Sequence, residues 1–221
     1  MIDGTDGSGK ATQTKLLVER LQKEGYPVET ISFPQYGTKS AGPVELYLSG
    51  AYGAAEDVGP YRASILYAVD RYDASFKMHA WLAQGTHVIA DRYVGSNMGH
   101  QGGKIADPEE RKTFFDWALE TEHEFFGIPR PTLNLVLFVP PEISFQLGRE
   151  RTLASGYKNA GSKDIHEENE EHLRAASQAY LDLTNLYDNF LLIPCTQDGQ
   201  MKTREEIHEQ IWQTIHPYLA H

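Results

Sequence analysis

Cysteine is nearly absent from this 221-residue chain, which contains only Cys195. A single cysteine excludes an internal disulfide and a zinc site built from cysteines, and it fits a reducing compartment, so we expect a cytoplasmic location. Long apolar runs are absent as well. The longest, Leu135 to Val139, has the length of a strand and falls far short of the ~18 residues of a membrane-spanning helix. The opening MIDGTDGSGK resembles neither a secretory signal nor a transit peptide, so no membrane role is expected.

Positive charge is the third scarce feature of the chain. It has 20 Lys and Arg against 31 Asp and Glu, which gives a formal net charge of −11. An acidic surface repels polyanions, so the balance argues against non-specific binding to DNA, RNA or anionic lipid. A small anionic ligand remains compatible with it, because one pocket can be locally positive. Hydrophobic residues make up 40% of the chain, enough for one packed domain.

Helical and strand patterns alternate along the chain. Apolar spacing and proline or glycine punctuation predict helices at Ala11–Glu24, Pro43–Leu48, Pro60–Gln84, Asp107–Phe126, Glu142–Leu153, Glu167–Tyr187 and Thr203–Tyr218. Short apolar or alternating runs predict strands at Val28–Phe33, His87–Ala90, Leu133–Val139 and Phe190–Pro194. This βαβα order predicts an α/β fold with a doubly wound parallel sheet covered by helices on both faces. Only Met1 to Asp3 precede the first glycine, so we expect either a start further upstream or a short first strand.

A glycine-rich loop lies between this first strand and the first helix. It fits the pattern G-x-x-x-x-G-K, and its residues are Gly4, Thr5, Asp6, Gly7, Ser8, Gly9 and Lys10. Glycines let backbone N–H groups converge on phosphate oxygens, the following helix presents the positive end of its dipole, and the lysine reaches the β- and γ-phosphates. Together with Ala11 and Thr12, these residues are our candidate ATP-binding loop.

The metal side of this candidate site is less regular. Ala11 occupies the position where a Ser or Thr hydroxyl usually ligates Mg²⁺, and Thr12 comes one residue late. The strand at His87–Ala90 is followed by Asp91, a carboxylate of the kind that orients Mg²⁺ or its water shell in P-loop enzymes. We therefore expect Mg²⁺ to be retained less strongly than a hydroxyl at position 11 would allow.

Five segments of the chain, in this order, resemble the thymidylate kinase family: IDGTDGSGKATQ, SFPQYG, LYAVDRY, ADRYVGSN and KDIHE. The resemblance covers essentially the whole chain. It implies a single P-loop nucleotide kinase domain with a short mobile lid at about residues 149–166, an ATP donor, Mg²⁺ and a homodimer. The reaction it implies transfers the γ-phosphoryl group of ATP to dTMP and gives dTDP and ADP.

The resemblance also implies roles for individual positions. The residues that it places on dTMP are Asp6, Phe33, Tyr36, Tyr67, Arg71, Arg92, Asn97, His100 and His166. Those that it places in catalysis are Lys10, Asp6, Arg92, Arg149 and Arg151. Those that it places at the metal are Asp6, Asp91 and Glu167, while Cys195 and Thr196 would border the adenine. In this assignment Tyr67 stacks on thymine, Arg71 donates to a thymine carbonyl and Asn97 faces the base edge.

Some of these residues have alternative partners within the chain. Tyr67 and Arg71 are four apart and share one helical face. The alternative is ordinary helix packing for Tyr67 and, for Arg71, a pairing with Asp70 or Asp73. A guanidinium at position 92 suits a phosphate, yet it can also form a salt bridge with the preceding carboxylate, Asp91, or another neighbour. His166 and His172 are expected to be surface helix residues, and Cys195 a buried thiol at a strand end.

Cations recur in the predicted lid. Between residues 149 and 163 the chain has Arg149, Arg151, Lys158 and Lys163 against the single acid Glu150. A lid with such donors would stabilise charge on a transferring phosphoryl group and exclude water. The alternative is a solvated loop whose charges have no such role.

Two other functions remain compatible with the sequence. A deoxynucleoside kinase acting on thymidine must remove a proton from a 5′-hydroxyl, and Asp91 could serve as the base. The second is a catalytically weak nucleotide-binding P-loop protein, which Ala11 and the short first strand motivate. His100 and His166 stand where the family resemblance leads us to expect tyrosines, so acceptance of dUMP or a ribonucleotide is also compatible.

Overall fold

Five parallel strands form the central sheet in the computed structural model, which describes residues 1–145 and 170–219. The strands are β1 (Ile2–Gly4), β2 (Val28–Ser32), β3 (His87–Asp91), β4 (Asn134–Phe138) and β5 (Phe190–Pro194). Their order across the sheet is β2-β3-β1-β4-β5, and all neighbouring strands are parallel. The predicted doubly wound parallel sheet is confirmed.

Helices connect the strands and cover both faces of the sheet. They are α1 (Lys10–Lys23), α2 (Gly42–Leu48), α3 (Ala55–Ala83), α4 (Val94–Gly102), α5 (Pro108–Glu120), α6 (described over 141–145), α7 (Glu170–Leu186) and α8 (Arg204–Ile215). A short antiparallel hairpin of β6 (Thr196–Gln197) and β7 (Gln200–Met201) follows β5. Within these described ranges, no helix has both the length and the apolar character that a membrane crossing requires.

The predicted lid lies outside the described residues. This applies to the whole range 149–166 and to the site residues Arg149, Arg151, His166 and Glu167. Their predicted roles therefore stay predictions.

Strand β1 is short, but it occupies the middle of the sheet. Ile2 stands opposite Asp91 of β3 on one side and opposite Leu135 of β4 on the other. Parallel strands point their carboxyl ends to the same edge, so the loop after β1 and the residues after β3 meet there. The crevice at this edge is where open α/β sheets bind their ligands.

Two apolar clusters, one on each face, bury the sheet. One joins the sheet to α4, α5 and α7 through side chains such as Met98, Phe114 and Leu183. The other joins it to α1 and α8 through side chains such as Leu17 and Trp212. Burial on both faces explains why β4 reads as a continuous apolar run, as the sequence predicts.

Helix α3 bends at Gly59, whose φ of 74° and ψ of 164° are not helical. Pro60 follows immediately, and its fixed φ and missing N–H suit the first position of a helix. The predicted long helix from Pro60 is confirmed, with one additional turn ahead of it. The part after the bend carries Tyr67 and Arg71.

Helix α5 continues into a π-helical turn at Thr121–Phe125. The start of this helix is as predicted, because the Asp107 side chain accepts hydrogen bonds from two N–H groups of its first turn. Its end is not, since the sequence predicts an α-helix to about Phe126. The wider π turn changes the direction of the side chains it carries and directs Glu122 into the interior, where it is buried.

Candidate active site

The glycine-rich loop joins β1 to α1 through glycines in the left-handed region. Their φ angles are 137° at Gly4, 91° at Gly7 and 90° at Gly9. A side chain at Gly4 would also lie 2.5 Å from the carbonyl oxygen of Leu137, so the sheet leaves no room for one. Gly9 is the N-cap residue of α1 and supplies no side-chain cap. The first N–H groups of this helix are therefore suited to an anionic ligand.

Lys10 is buried and folds back on its own loop. Its Nζ donates to the carbonyl oxygens of Gly4 at 3.0 Å and Thr5 at 2.8 Å. Burial, and after it repulsion from Arg92, lower the pKa of Lys10 to about 8, although Asp6 partly offsets both effects. A phosphate at this position would stabilise the charged ammonium, so the environment of Lys10 suits an anionic ligand.

Arg92, the first residue after β3, reaches the same loop. Its φ of 66° lies in the left-handed region, which non-glycine residues rarely occupy and which costs of order 1–3 kcal/mol. Its Nη2 donates to Asp6 Oδ1 in an ion pair. Of the partners that the sequence left open, the structure selects Asp6, and pairing with Asp91 is wrong.

Asp6 stands between two cations. Its Oδ1 lies 3.7 Å from Lys10 Nζ, in addition to the pairing with Arg92. Burial alone would raise the pKa of Asp6, but the Arg92 guanidinium and then the Lys10 ammonium hold this pKa well below its usual range. The carboxylate is therefore ionised and holds both cations at one edge of the sheet.

Two stacked histidine rings lie behind Arg92. His100 Nε2 is 3.2 Å from Arg92 Nη1, and His100 Nδ1 is 3.4 Å from His172 Nε2. The two ring centroids are 5.6 Å apart and their planes differ by 17°. Burial and then the neighbouring guanidinium of Arg92 keep the pKa of His100 well below its usual value, so the neutral ring accepts at Nε2 and donates at Nδ1.

The expectation that His172 is a surface residue is wrong. It is half-buried and stacks on His100, which contacts Arg92. These two histidines belong to α4 and α7, which are distant in sequence but pack together. No local pattern at His172 indicates this long-range contact.

Asp70, which precedes Arg71 on α3, fastens the turn after β2. Its carboxylate accepts from the backbone N–H of Gln35 at 2.8 Å, from the Gln35 side-chain amide at 3.1 Å and from Ser40 Oγ at 2.7 Å. This turn follows Phe33 and carries Tyr36, both predicted to contact the substrate. The sequence indicates Asp70 only as an alternative partner for Arg71. Its role as the anchor of this turn is seen only in the structure.

The aromatic residues predicted to contact the substrate differ in exposure. Phe33 is 3% exposed and packs on Tyr93 with ring centroids 5.8 Å apart, so little of its surface is left for a ligand. Tyr36 is 62% exposed. Tyr67 is half-buried, with its ring edge-on to Tyr47 at 6.2 Å. Their contacts with a nucleotide stay predictions.

Arg71 pairs with a residue that the sequence did not single out. Its Nε and Nη2 donate to the two carboxylate oxygens of Glu122 at 2.5 and 2.6 Å. Pairing with Asp70 or Asp73, the alternatives that the sequence leaves open, is therefore wrong. The Asn97 side chain joins the pair, with its Nδ2 3.3 Å from Glu122 Oε1. Local sequence could not reveal Glu122, because its direction depends on the unpredicted π turn.

Asp91 fits a divalent cation. It is half-buried at the end of β3, and its carboxylate forms no hydrogen bond or ion pair with another described residue. Burial raises the pKa of Asp91, although the nearby Lys10 and Arg92 act against this rise. Mg²⁺ takes one or two carboxylates together with waters and substrate phosphates, so this unpaired carboxylate suits it. Asp6, by contrast, is held by Arg92.

Beyond Asp91, the part of the chain that the structure describes supplies few further ligands for a metal ion. Ala11 is exposed and Thr12 is half-buried at the start of α1. Among residues 1–145 and 170–219, no three His, Cys, Asp or Glu side chains form a group that could hold a metal ion. Glu167 lies outside these ranges, so the three-carboxylate set with Asp6 and Asp91 stays a prediction.

Cys195 is the buried strand-end thiol that the sequence predicts. It is unbonded to another cysteine, and its Sγ lies 3.4 Å from the carbonyl oxygen of Ile193. Burial raises the pKa of Cys195 to about 12, which leaves the thiol protonated and unreactive. Thr196 begins the β6–β7 hairpin. Contact of either residue with an adenine ring stays a prediction.

The loop after β1 and the arginine after β3 direct cationic groups to one edge of a parallel sheet. This arrangement defines the chain as a P-loop nucleotide kinase. The particular family follows from comparison with known proteins: the family model for thymidylate kinase matches residues 2–211, and the chain belongs to this family. The predicted enzyme class, an ATP-dependent nucleoside monophosphate kinase, is confirmed.

Individual relatives agree with this assignment. The chain is 28% identical over 220 residues to the thymidylate kinase of Fervidobacterium nodosum, covering 99% of this chain and 98% of the relative. It is 29% identical over 185 residues to that of Mycobacterium tuberculosis, covering 82% and 83%. The solved thymidylate kinase of Candida albicans has the same fold, with a TM-score of 0.72, 23% identity and coverage of 98% of this chain and 90% of that one.

Adding a hydroxyl at position 11 should strengthen the retention of Mg²⁺. We expect Ala11→Thr to lower the Mg²⁺ concentration that half-saturates its effect on ATP-analogue binding by about tenfold, the equivalent of ~1.4 kcal/mol. Ala11 is exposed, so the substitution disturbs no packing. Ala11→Val has the same shape without the oxygen and is the control. Equal Mg²⁺ dependence in the two variants would contradict the prediction.

Proposed function

We propose that this chain transfers the γ-phosphoryl group of ATP to dTMP and releases dTDP and ADP. The observation that carries the proposal is the meeting of Lys10, Arg92 and Asp6 at the carboxyl edge of the sheet. Two cations held from two different loops can place a donor and an acceptor phosphate next to each other. The relatives named thymidylate kinase support the same reaction.

The proposed reaction needs no general base. The second pKa of a phosphate monoester is about 6, so the attacking oxygen of dTMP is already largely ionised at pH 7. The chain then contributes positioning and charge neutralisation, with Lys10 on the donor phosphates and Arg92 on the acceptor phosphate. Asp6 keeps Arg92 directed at the loop. Bound Mg²⁺ would neutralise the β- and γ-phosphates of ATP, and Asp91 would hold it.

The predicted lid belongs to the same proposal. Donors such as Arg149 and Arg151 in the range 149–166 would stabilise the charge on the transferred group and exclude water. A cytoplasmic location is also part of the proposal, because a single unreactive thiol fits a reducing compartment.

Turnover with alternative acceptors tests the proposal. Purified protein with ATP and Mg²⁺ should release ADP when dTMP is present and not when thymidine replaces it. Lys10→Met should lower the rate about 100-fold or more, because a donor to the transferred charge is lost. Lys15→Met is the matched control, since Lys15 lies on the same helix with its side chain 77% exposed. ADP release with thymidine alone would contradict the proposal, and ATP binding without turnover would favour a nucleotide-binding module.

We also infer a homodimer that buries one face of α3. Val69, Tyr72 and Phe76 follow helical spacing along this face, and all three are exposed. Tyr72 contacts both Phe76 and Phe126, with ring centroids 5.3 and 5.6 Å apart, so the exposed aromatic surface is continuous. A contiguous apolar patch of this kind marks an interaction site, and a twofold axis would place it against its own copy.

Oligomeric state measured by light scattering or sedimentation tests the dimer. We expect the mass of two chains for the wild type and a shift toward one chain for Phe76→Asp. Tyr218→Asp introduces the same charge at an exposed aromatic of the 3₁₀ turn after α8 and should leave the mass unchanged. A monomeric wild type at micromolar concentration would contradict the inference.

A further inference from the structure

Glu122 is a buried carboxylate that no step of the proposed reaction uses. The π turn at Thr121–Phe125 carries it into the interior, where it is 1% exposed. Its Oε2 accepts from Arg71 Nε at 2.5 Å, and its Oε1 accepts from Arg71 Nη2 at 2.6 Å. Its Oε1 also lies 3.3 Å from Asn97 Nδ2. One carboxylate thus holds both side chains that the family resemblance places on the base.

The neighbours of Asn97 allow its amide only one orientation. Its Nδ2 lies 3.3 Å from Glu122 Oε1 and 3.4 Å from the carbonyl oxygen of Ser64, and both of these atoms can only accept. Turning the amide by 180° would set Oδ1 against two acceptors. As it stands, Oδ1 is buried and has no hydrogen-bond partner in the described part of the chain. A buried acceptor without a partner is unfavourable, so this site favours a ligand with a donor.

Arg71 supplies a donor that complements this acceptor. Glu122 takes up its Nε and Nη2, and the remaining nitrogen, Nη1, forms no hydrogen bond within residues 1–145 and 170–219. The carboxylate therefore leaves an acceptor, Asn97 Oδ1, and a donor group, Arg71 Nη1, for a ligand.

We propose that Glu122 is a positioning residue for base selectivity, because it fixes Asn97 Oδ1 as an acceptor and leaves Arg71 Nη1 as a donor. The imide edge of thymine or uracil matches this pair, since its N3–H donates and its O4 accepts. Cytosine offers the opposite pattern, because its N3 accepts and its 4-amino group donates. The inference rests on the proposed function, since it requires that a pyrimidine monophosphate binds with its base against these two residues.

Replacing the carboxylate at position 122 by an amide tests whether Glu122 sets the base selectivity. A glutamine there keeps the size of the side chain but can donate from its Nε2. With Nε2 at the position of the present Oε1, Asn97 would turn, accept that hydrogen bond with Oδ1 and offer Nδ2 to the base, and only the Ser64 carbonyl would still face Oδ1 as an acceptor. Arg71 would lose the acceptor of its Nη2 at the same time, which loosens the second side chain at the base. Cytosine would gain a partner for its N3, and thymine would lose one.

Steady-state kinetics of Glu122→Gln with three acceptors tests the proposal. The acceptors are dTMP, dUMP and dCMP, each with ATP, and kcat and KM are measured separately. Glu124→Gln is the matched control, because Glu124 belongs to the same π turn but is exposed and pairs with Arg130. A second control is internal: dUMP has the same imide edge as dTMP and should follow it in every variant.

In Glu122→Gln we expect the KM for dTMP to rise about tenfold, and kcat to change by less than about threefold. The preference for dTMP over dCMP in kcat/KM should fall by about tenfold or more, while Glu124→Gln keeps the preference of the wild type. A residue needed only for folding would weaken all three nucleotides alike. An unchanged preference in folded Glu122→Gln therefore overturns the proposal.

A second measurement applies if Glu122→Gln fails to fold, as judged by thermal melting and ATP-analogue binding. In a crystal structure of the wild type with dTMP, Asn97 Nδ2 should remain on Glu122, with Oδ1 within about 3.2 Å of thymine N3. An amide that has left Glu122, or one out of reach of N3, overturns the proposal. A wild type that does not phosphorylate dTMP contradicts the proposed function instead.

Discussion

The Asp6–Arg92 ion pair is the contact on which the rest of the candidate site depends. It joins the phosphate loop after β1 to the first residue after β3, two strands that are neighbours in the sheet. Arg92 needs a left-handed backbone to reach the loop, and a charge in this partly buried place is unfavourable without a partner. Asp6 provides that partner, and His100 supports the other side of the guanidinium. The phosphate of an acceptor nucleotide bound here would meet a guanidinium whose position Asp6 and His100 already fix.

Buried carboxylates fix most of the surrounding segments. Asp3 accepts from the backbone N–H of Tyr93 at 3.1 Å and from Ser96 Oγ at 2.6 Å, which anchors the start of α4. Asp70 fastens the turn after β2, and Glu122 holds Arg71. The net charge of −11 therefore has an internal component. We expect the surface acids to repel polyanions, while a few buried acids position the cations and turns of the cleft.

Local sequence predicted the parts of the molecule that depend on local rules. Strand alternation, the proline at position 60 and the G-x-x-x-x-G-K spacing each depend on nearby residues, and the sheet and the loop followed from them. The partners of Arg71 and Arg92 could not be predicted from local rules, because both ion pairs join elements far apart in the chain. The inward direction of Glu122 depends on a π turn, which the apolar spacing of the sequence does not indicate. The contact between His172 and His100 depends on how α4 and α7 pack.

We propose that Arg92, held by Asp6, binds the acceptor phosphate. Calorimetric affinities of dTMP and thymidine for the wild type and for Arg92→Met test it most directly, since the two ligands differ only in the phosphate. We expect dTMP to bind the wild type at least about 100-fold more tightly than thymidine, and most of this difference to disappear in Arg92→Met. A difference between the two ligands that is as large in Arg92→Met as in the wild type would contradict it.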